Sequence, residues 1–596
     1  MPQYHITLNG QGYLVDLRRY RKTAGDAFVA RRATGPLSYA DLRDISTWAQ
    51  TTWAEGHAPT PAPADPAPPA RFARAQALDT LTPAALRLAP QAVPIPAWDP
   101  TPAAPRIHGF LPYRGALFWA TAQGGTLTLY RAETEALPPA AFTRAEAAVG
   151  GLAVFRNAVW VGAGTTGAVH RWDAGSGTFT TPFTFAGGQG VPALAVYTPS
   201  GTTPALYLGV KLEAGAQLHV TTDGATSSLL LTLDYAEPTY LFVFDGALFV
   251  AVADAGGHGL LYRYDGSRWS EVLRLSENWI QAGAPFAGAY YLASGRDNRL
   301  WRFDGRALTE VLAGHTPSGS RVRALLPFAG RLYAGLEWAG GAPVRTLAAS
   351  RTGADWHDLR PQGLAPAGRG VHALGALAGT LYLGEELASG TGARVYRLGG
   401  ALNPSGTLTT LPLDAGLPAL PKAWRRLRAA HLPLAAGESV ALAYRLDQTG
   451  SFTPLVTNST AGSTETSGTL PDGTTSRTLE LQLTLAGGGT SSPTVTALLA
   501  EYALRPGVRR AWELEVLLEG TPRAPLRRLD GTPEPLAGAQ LSAALWAARA
   551  AAAPVPYVDL DGAAYRVWVA EVEEHVAPLP PRDGWQTRAR VRLVEA

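Results

Sequence analysis

The chain contains no cysteine, which excludes disulfide frameworks, thiolate metal centres and cysteine nucleophiles together. Lysine is nearly absent: of 51 basic residues only Lys22, Lys211 and Lys422 are Lys, leaving 48 Arg. With the abundance of Ala, Gly and Pro, that skew points to a GC-rich genome. It is not the Lys and Glu enrichment typical of hyperthermophiles. Charge imbalance is small as well, a formal +3 over 596 residues, which argues against a dedicated nucleic-acid binder. No stretch of about 18 uninterrupted apolar residues occurs. Met1-Pro-Gln-Tyr-His lacks a basic-then-apolar leader. The expectation is a protein that is neither inserted in a membrane nor exported by an ordinary signal. Hydrophobic residues make up 46%, and 65 Gly with 47 Pro favour many turns over long helices. A chain of this length divides into several cores.

One short phrase recurs seven times between Ile107 and Leu398. It reads Gly115-Ala-Leu-Phe-Trp-Ala, Asn157-Ala-Val-Trp-Val-Gly, Pro204-Ala-Leu-Tyr-Leu-Gly and Gly246-Ala-Leu-Phe-Val-Ala. It then returns as Gly288-Ala-Tyr-Tyr-Leu-Ala, Gly330-Arg-Leu-Tyr-Ala-Gly and Gly379-Thr-Leu-Tyr-Leu-Gly. The third residues (Leu117, Val159, Leu206, Leu248, Tyr290, Leu332, Leu381) are spaced by 42, 47, 42, 42, 42 and 49. A period near 42 made of short strands predicts a seven-bladed β-propeller, one four-stranded blade per repeat. A sandwich or a solenoid has the same short strands, but a sandwich has no reason to keep that period. Before each phrase stands an apolar run such as Tyr240-Leu-Phe-Val-Phe. Gly or Asn at the turn suits a two-residue hairpin. Blade three lacks the Gly and has the longer turn Thr198 to Pro204.

Outside the propeller (106–417) the sequence predicts four further segments. Residues 1–57 form a β-rich docking segment, in which Trp48 and Trp53 either pack on the propeller or anchor onto another protein, since Trp and Tyr dominate interface hot spots. Residues 58–105 are a Pro/Ala-rich linker favouring extended polyproline II, with room for a helical turn from Thr82 to Leu88. In 418–507, Val440, Leu442, Tyr444 and Leu446 share one face, as do Leu479, Leu481, Leu483 and Leu485; this predicts a β-sandwich, with the Ser/Thr/Gly-rich stretch Thr457 to Thr475 as a loop. Residues 508–596 read as α+β. Trp512, Leu514, Val516 and Leu518 alternate with Glu513, Glu515 and Leu517, and a helix runs from Leu536 to Ala552 with Leu541, Leu545 and Ala548 on one stripe. A turn follows at Asp559-Leu-Asp-Gly562.

Chemistry is sparse. Gly162-Ala-Gly-Thr-Thr-Gly167 matches a dinucleotide fingerprint by letter, but Ala168-Val-His-Arg-Trp continues as strand, so no helix N-terminus awaits a phosphate. His170, His219 and His258 fall in successive blades on strands facing different directions. Asp559 and Asp561 lack the rest of a calcium loop. No metal site, cofactor site or catalytic set is expected. Ser350-Arg-Thr-Gly-Ala-Asp-Trp356 loosely resembles the structural Ser-x-Asp-x-Gly-x-x-Trp turn of sialidase-like propellers, with Asp and Gly out of place. Glycosidase chemistry usually needs two facing carboxylates about 5–10 Å apart; Glu385, Glu386, Asp297 and Asp245 are the candidates, and no pair is favoured.

Leu37-Ser-Tyr-Ala-Asp-Leu, followed by Trp48, Trp53 and Gly56, resembles the N-terminus of structural tail proteins of long-tailed bacteriophages. In the sandwich, Tyr444-Arg-Leu-Asp, the Leu-x-Leu-x-Leu strand and Ser492-Pro-Thr-Val-Thr before Glu501-Tyr-Ala-Leu-Arg-Pro506 are similar to modules of the same family. The terminal order of strand, helix, Asp-Gly hairpin and strand resembles small domains of tail-tip and baseplate proteins. The resemblance implies a non-enzymatic virion protein of the tail tip or baseplate, a symmetric homo-oligomer docked on other tail proteins through Tyr39, Leu42, Trp48 and Trp53. It also implies contact with a host-surface glycan or protein, without nucleic acid or membrane insertion. The alternative is a carbohydrate-binding or glycosidase-like propeller protein.

Overall fold

The repeated turns fix the blades. In six of the phrases both central residues take positive φ: Arg114 and Gly115, Arg156 and Asn157, Asp245 and Gly246, Ala287 and Gly288, Ala329 and Gly330, Ala378 and Gly379. Two successive left-handed residues give the hairpin whose twist matches its flanking strands. The second strand of each blade is then enclosed on both sides. In Ala247–Ala253 every residue is buried. Leu248, Val250 and Val252 pack towards blade three, and Phe249 and Ala251 towards blade five. Period-two alternation therefore serves two interblade cores from one strand, which is why the run is apolar throughout.

The computed structural model describes residues 3–24, 31–32, 35–36, 45–58, 70–100, 104, 106–213, 215–233, 237–254, 256–275, 278–296, 299–312, 320–338, 347–359, 361–365, 368–387, 392–415, 417, 421–504, 510–520, 525–551, 553–578 and 585–595. Blades one to five are four-stranded antiparallel sheets running from His108–Tyr113 to Leu308–Glu310. Blades six and seven share one eight-stranded sheet, joined through Glu337 and Gly370. The outermost strand of blade seven is Pro90–Pro94, paired with Ala393–Leu402. A strand from before the propeller thus closes the ring. The protein is mainly β, a seven-bladed propeller with a β-sandwich and a small terminal α+β domain.

The segments read as head and linker are strands of the other modules. Ser46–Gln50 joins the sandwich beside Val495–Leu504, and Phe72–Gln76 joins its second sheet beside Ser405–Thr410, a strand the sequence reading left in the propeller. Ile6–Leu8, Gln11–Val15 and Arg21–Ala24 belong to a seven-stranded sheet with Arg510–Leu517, Val555–Val558, Ala564–Pro578 and Trp585–Glu595. The head is therefore divided between the terminal sheet and the sandwich, and its end also touches the propeller, where His57 N–H donates to Trp356 O of blade six at 3.2 Å. Thr82 to Leu88 is no helix: Leu81 N–H and Thr82 Oγ1 donate to Asp79, Ala84 takes φ +53°, and Arg87–Leu88 pairs with Leu78–Asp79. Thr457 to Thr475 is likewise not simply a loop, because Glu465–Thr469 finds a partner in Lys422–His431.

The sandwich strands keep their predicted faces: Val440, Leu442 and Tyr444 are buried with Leu479, Leu481, Leu483 and Leu485 in one core. The helix is Gly538–Arg549, with Leu541, Leu545 and Ala548 buried on the apolar face of the terminal sheet. Among the described residues no helix is long and apolar enough to cross a membrane.

Candidate functional site: the charged face of the terminal sheet

The face of the terminal sheet away from the helix is built by alternation. Arg510–Leu517 buries Trp512, Leu514 and Val516 and turns Glu513 and Glu515 to the other side; Trp585–Glu595 buries Ala589, Val591 and Leu593 and turns out Arg588, Arg590 and Arg592. Antiparallel register sets Glu513 opposite Arg592 and Glu515 opposite Arg590. The next strand places Glu571 opposite Arg592, Glu573 opposite Arg590 and His575 opposite Arg588. This depends on the register shift between Val569 and Glu571. Without that extra residue, Glu571 and Glu573 would share the buried face of Val567 and Val569. Arg21 adds a further cation opposite Glu513. The result is rows of alternating charge across the strands.

These rows line a cleft of about 620 Å³ bounded by Arg18, Arg21, Glu513, Glu573, His575 and Arg590, among others. At its floor Arg588 Nη1 donates to Glu515 Oε1 at 2.7 Å and to Asp16 Oδ2 at 3.0 Å. His575 Nε2 lies 3.7 Å from Glu515. Glu571, Glu573, His575 and Arg590 are exposed at the rim. Val576, 56% exposed, adds apolar surface to the cleft. Exposed cross-strand pairs contribute only about 0.2–1 kcal/mol each to stability. Their chemical competence is directional, salt-sensitive recognition of a surface with the reciprocal charge pattern.

A second polar cluster braces the same module. Asp559, in the turn read from Asp559-Leu-Asp-Gly562, accepts from Tyr20 Oη at 2.6 Å, Tyr557 Oη at 2.8 Å and Trp512 Nε1 at 2.9 Å, and lies 2.6 Å from Lys22 Nζ. Burial pushes its carboxyl up, but the hydrogen bonds from Lys22, Tyr20 and Trp512 outweigh it and hold the pKa at about 2.

The sequence-predicted docking residues lie elsewhere. Tyr39 and Leu42 fall outside the described residues, as does the rest of Leu37-Ser-Tyr-Ala-Asp-Leu. Trp53 is fully enclosed in the sandwich core with Phe72, Leu408 and Trp424, and Trp48 is half-buried against the same core. Trp53 is therefore not available for docking: its partners Leu408 and Trp424 come from more than 300 residues further along the chain, which no local pattern announces. The charged face did leave a signal, the strict alternation of Arg588, Arg590 and Arg592 with apolar neighbours.

The other motifs are structural. Gly162 lies between strands, and a Cβ there would meet Val191 O of blade three at 2.1 Å; close approach of backbones, not a phosphate, requires the glycine. His170 sits by Thr181 at 2.9 Å, His219 by Gln217 at 2.9 Å and His258 by Asp254 at 3.0 Å. They do not meet, and among the described residues no group of three or more His, Asp or Glu is placed to hold a metal. Ser350 Oγ accepts from Gly353 N–H at 2.8 Å, bracing its turn. Glu385 and Glu386 are neighbours on one strand and point to opposite faces. Glu385 accepts from Tyr396 Oη at 2.7 Å and Ala365 N–H at 3.0 Å, Asp245 lies in a hairpin turn, and Asp297 is outside the described residues.

No family model matches the chain, and no curated protein matches it. Among solved structures, a streptogramin B lyase is similar over 51% of this chain and 96% of its own, at 13% identity and a TM-score of 0.40. The computationally designed Ika8 protein is similar over 49% of this chain and 96% of its own, at 16% identity and a TM-score of 0.32. Likeness at that level says nothing of activity or partners.

Proposed function

We propose that the chain is a structural component of a bacteriophage tail, at the tip or baseplate, without enzymatic activity. The terminal module docks on neighbouring tail proteins, and the propeller is held outward as a rigid disc able to contact the host surface. One observation carries this reading: both ends of the chain combine into a single sheet whose outer face is a balanced lattice of Arg and Glu around a cleft. Cross-strand charges of this kind add little stability of their own, and the exposed Glu571, Glu573 and Arg590 at the rim leave charge for a partner to meet. It suits repeated contact with copies of itself or with other subunits in a symmetric assembly. The sequence resemblance at both ends and in the sandwich supplies the identity of that assembly.

Electron microscopy of the full-length protein, alone and in the particle that carries it, tests the reading. Disc-shaped density in symmetric copies at the end of a tail is the expected result; isolated monomers absent from any particle overturn it. A charge reversal, Arg590→Glu with Glu573→Arg as its compensating partner, refines the test. Arg590→Glu should lower incorporation into particles at least tenfold with Tm moved by only a few degrees, whereas the double variant restores opposite charges across the strands but not the docking. Full incorporation of Arg590→Glu would place the contact elsewhere.

A further inference from the structure

The innermost strands of blades five, six, seven and one bring a separate set of polar residues to one mouth of the propeller channel. Gln281 stands near the start of Ile280–Phe286, Arg323 near the start of Ser320–Phe328, His372 in the first half of Gly368–Leu377, and His108 at the start of His108–Tyr113, just after Arg106. Glu337 and Glu386 come from the ends of the adjacent second strands. Strand direction places all of these at the same side of the disc.

The ion pairs in this group do not balance. Arg323 is paired with Glu337 and donates to Gln281 Oε1 at 2.8 Å. Arg369 donates to Glu386 Oε1 at 3.1 Å, and the other oxygen of Glu386 lies 3.2 Å from His372 Nδ1. Both carboxylates are thus engaged. Arg106 has no hydrogen bond or ion pair among the described residues, and its Nε is buried. The side chain of His372 is 2% exposed, and neither of its ring nitrogens makes a hydrogen bond. Burial, with Arg106, Arg323, His108 and Arg369 close enough to add repulsion, brings the pKa of His372 down to about 2; burial and Arg106 bring His108 down to about 3. Both imidazoles are therefore neutral at physiological pH, able to offer an N–H without adding charge. Arg106 and His108 keep partial solvent contact, so a ligand at this mouth of the channel can reach them.

We propose that this mouth of the channel binds an oxyanion group, a carboxylate or a phosphate carried by a small molecule or a glycan, with Arg106 as its principal partner. A partly desolvated guanidinium that shares Glu337 and Glu386 with Arg323 and Arg369 is under-neutralised, and its planar fork fits the two oxygens of a carboxylate or phosphate. The N–H of neutral His372 or His108 completes the set as a hydrogen-bond donor. This inference is independent of assembly into a tail.

Calorimetric titration of the full-length protein with methyl phosphate, with glucuronate and with uncharged methyl glucoside, at low salt, provides the test. Saturable binding of at least one anion and none of the glucoside is expected, and the tighter anion identifies the group recognised. Arg106→Gln, which removes no hydrogen bond or ion pair among the described residues, should weaken binding at least tenfold at a Tm no lower than that of the native chain, with Arg106→Lys intermediate. His372→Gln should weaken it less. Absence of saturable binding by both anions, or binding unaffected by Arg106→Gln, overturns the proposal.

Discussion

Three lysines among so many arginines mark places where a compact ammonium is used. Lys22 lies between Asp559 and Asp561, Lys211 pairs with Glu237, and Lys422 is enclosed and donates to the carbonyl oxygens of Leu417 and Arg477. Burial lowers the pKa of Lys422 to about 7. Lys22 and Asp559 yield a prediction at this scale. Asp559 titrates at about 2, below its ordinary value of 3.8, so the unfolded chain takes up the proton first as pH falls. Its stabilisation is complete above about pH 4 and is lost as pH falls through 2, and it amounts to about 2 kcal/mol at neutral pH. Asp559→Asn should destabilise the terminal module by that amount at pH 7, read from hydrogen exchange of the Arg510–Leu517 amides, and the difference from the native chain should vanish near pH 2. The hairpin at Asp559-Gly562 was legible because Asp and Gly carry turn chemistry locally, and the structure shows Gly562 at φ +78°. The bracing of Asp559 by Lys22 and Tyr20 was not, since those partners stand more than 500 residues away.

Among the elements, the strands that were legible are those whose pattern is internal. The seven repeated phrases declare their hairpins, and the Leu-x-Leu-x-Leu strand declares its buried face. Pro90–Pro94 was hidden for a physical reason: an outermost strand pairs with only one other strand, tolerates proline at both ends, and so reads as spacer. Ala92 is nevertheless fully buried and faces Leu398 across the pair. Facing residues of antiparallel strands lie about 4.5–5.5 Å apart at Cα, within the range a disulfide spans. The cysteine-free background makes the test clean: Ala92→Cys with Leu398→Cys should oxidise to a single internal bridge, seen as altered non-reducing gel mobility, and should stabilise the ring by on the order of 2–4 kcal/mol. Failure to cross-link would show that the ring is closed some other way. Glu465–Thr469 teaches the same lesson, since Ser and Thr become strand residues once Lys422–His431 supplies the pairing edge.

At the scale of the whole molecule the modules are nested. The terminal sheet takes strands from both ends of the chain, the sandwich takes Ser46–Gln50 and Phe72–Gln76 from before the propeller and the rest from after it, and the propeller sits innermost. Side chains lock the levels together. Thr80 Oγ1 meets His357 Nδ1 of blade six at 2.6 Å, Asn403 Nδ2 donates to Ala89 O at 2.8 Å, and the Arg477 guanidinium of the sandwich lies 4.3 Å from the Trp568 ring of the terminal sheet. Every crossing between levels is made twice, once by each arm of the chain, so the disc has two tethers and little freedom to swivel. Tension applied between the first and last residues then meets the terminal sheet before anything else. In an optical trap the chain should lengthen in a fixed sequence, terminal module first, sandwich second and blades last. A first rupture within the blades would contradict this order. A particle that pulls on such a protein by its two ends would shed its anchorage long before it damaged the disc.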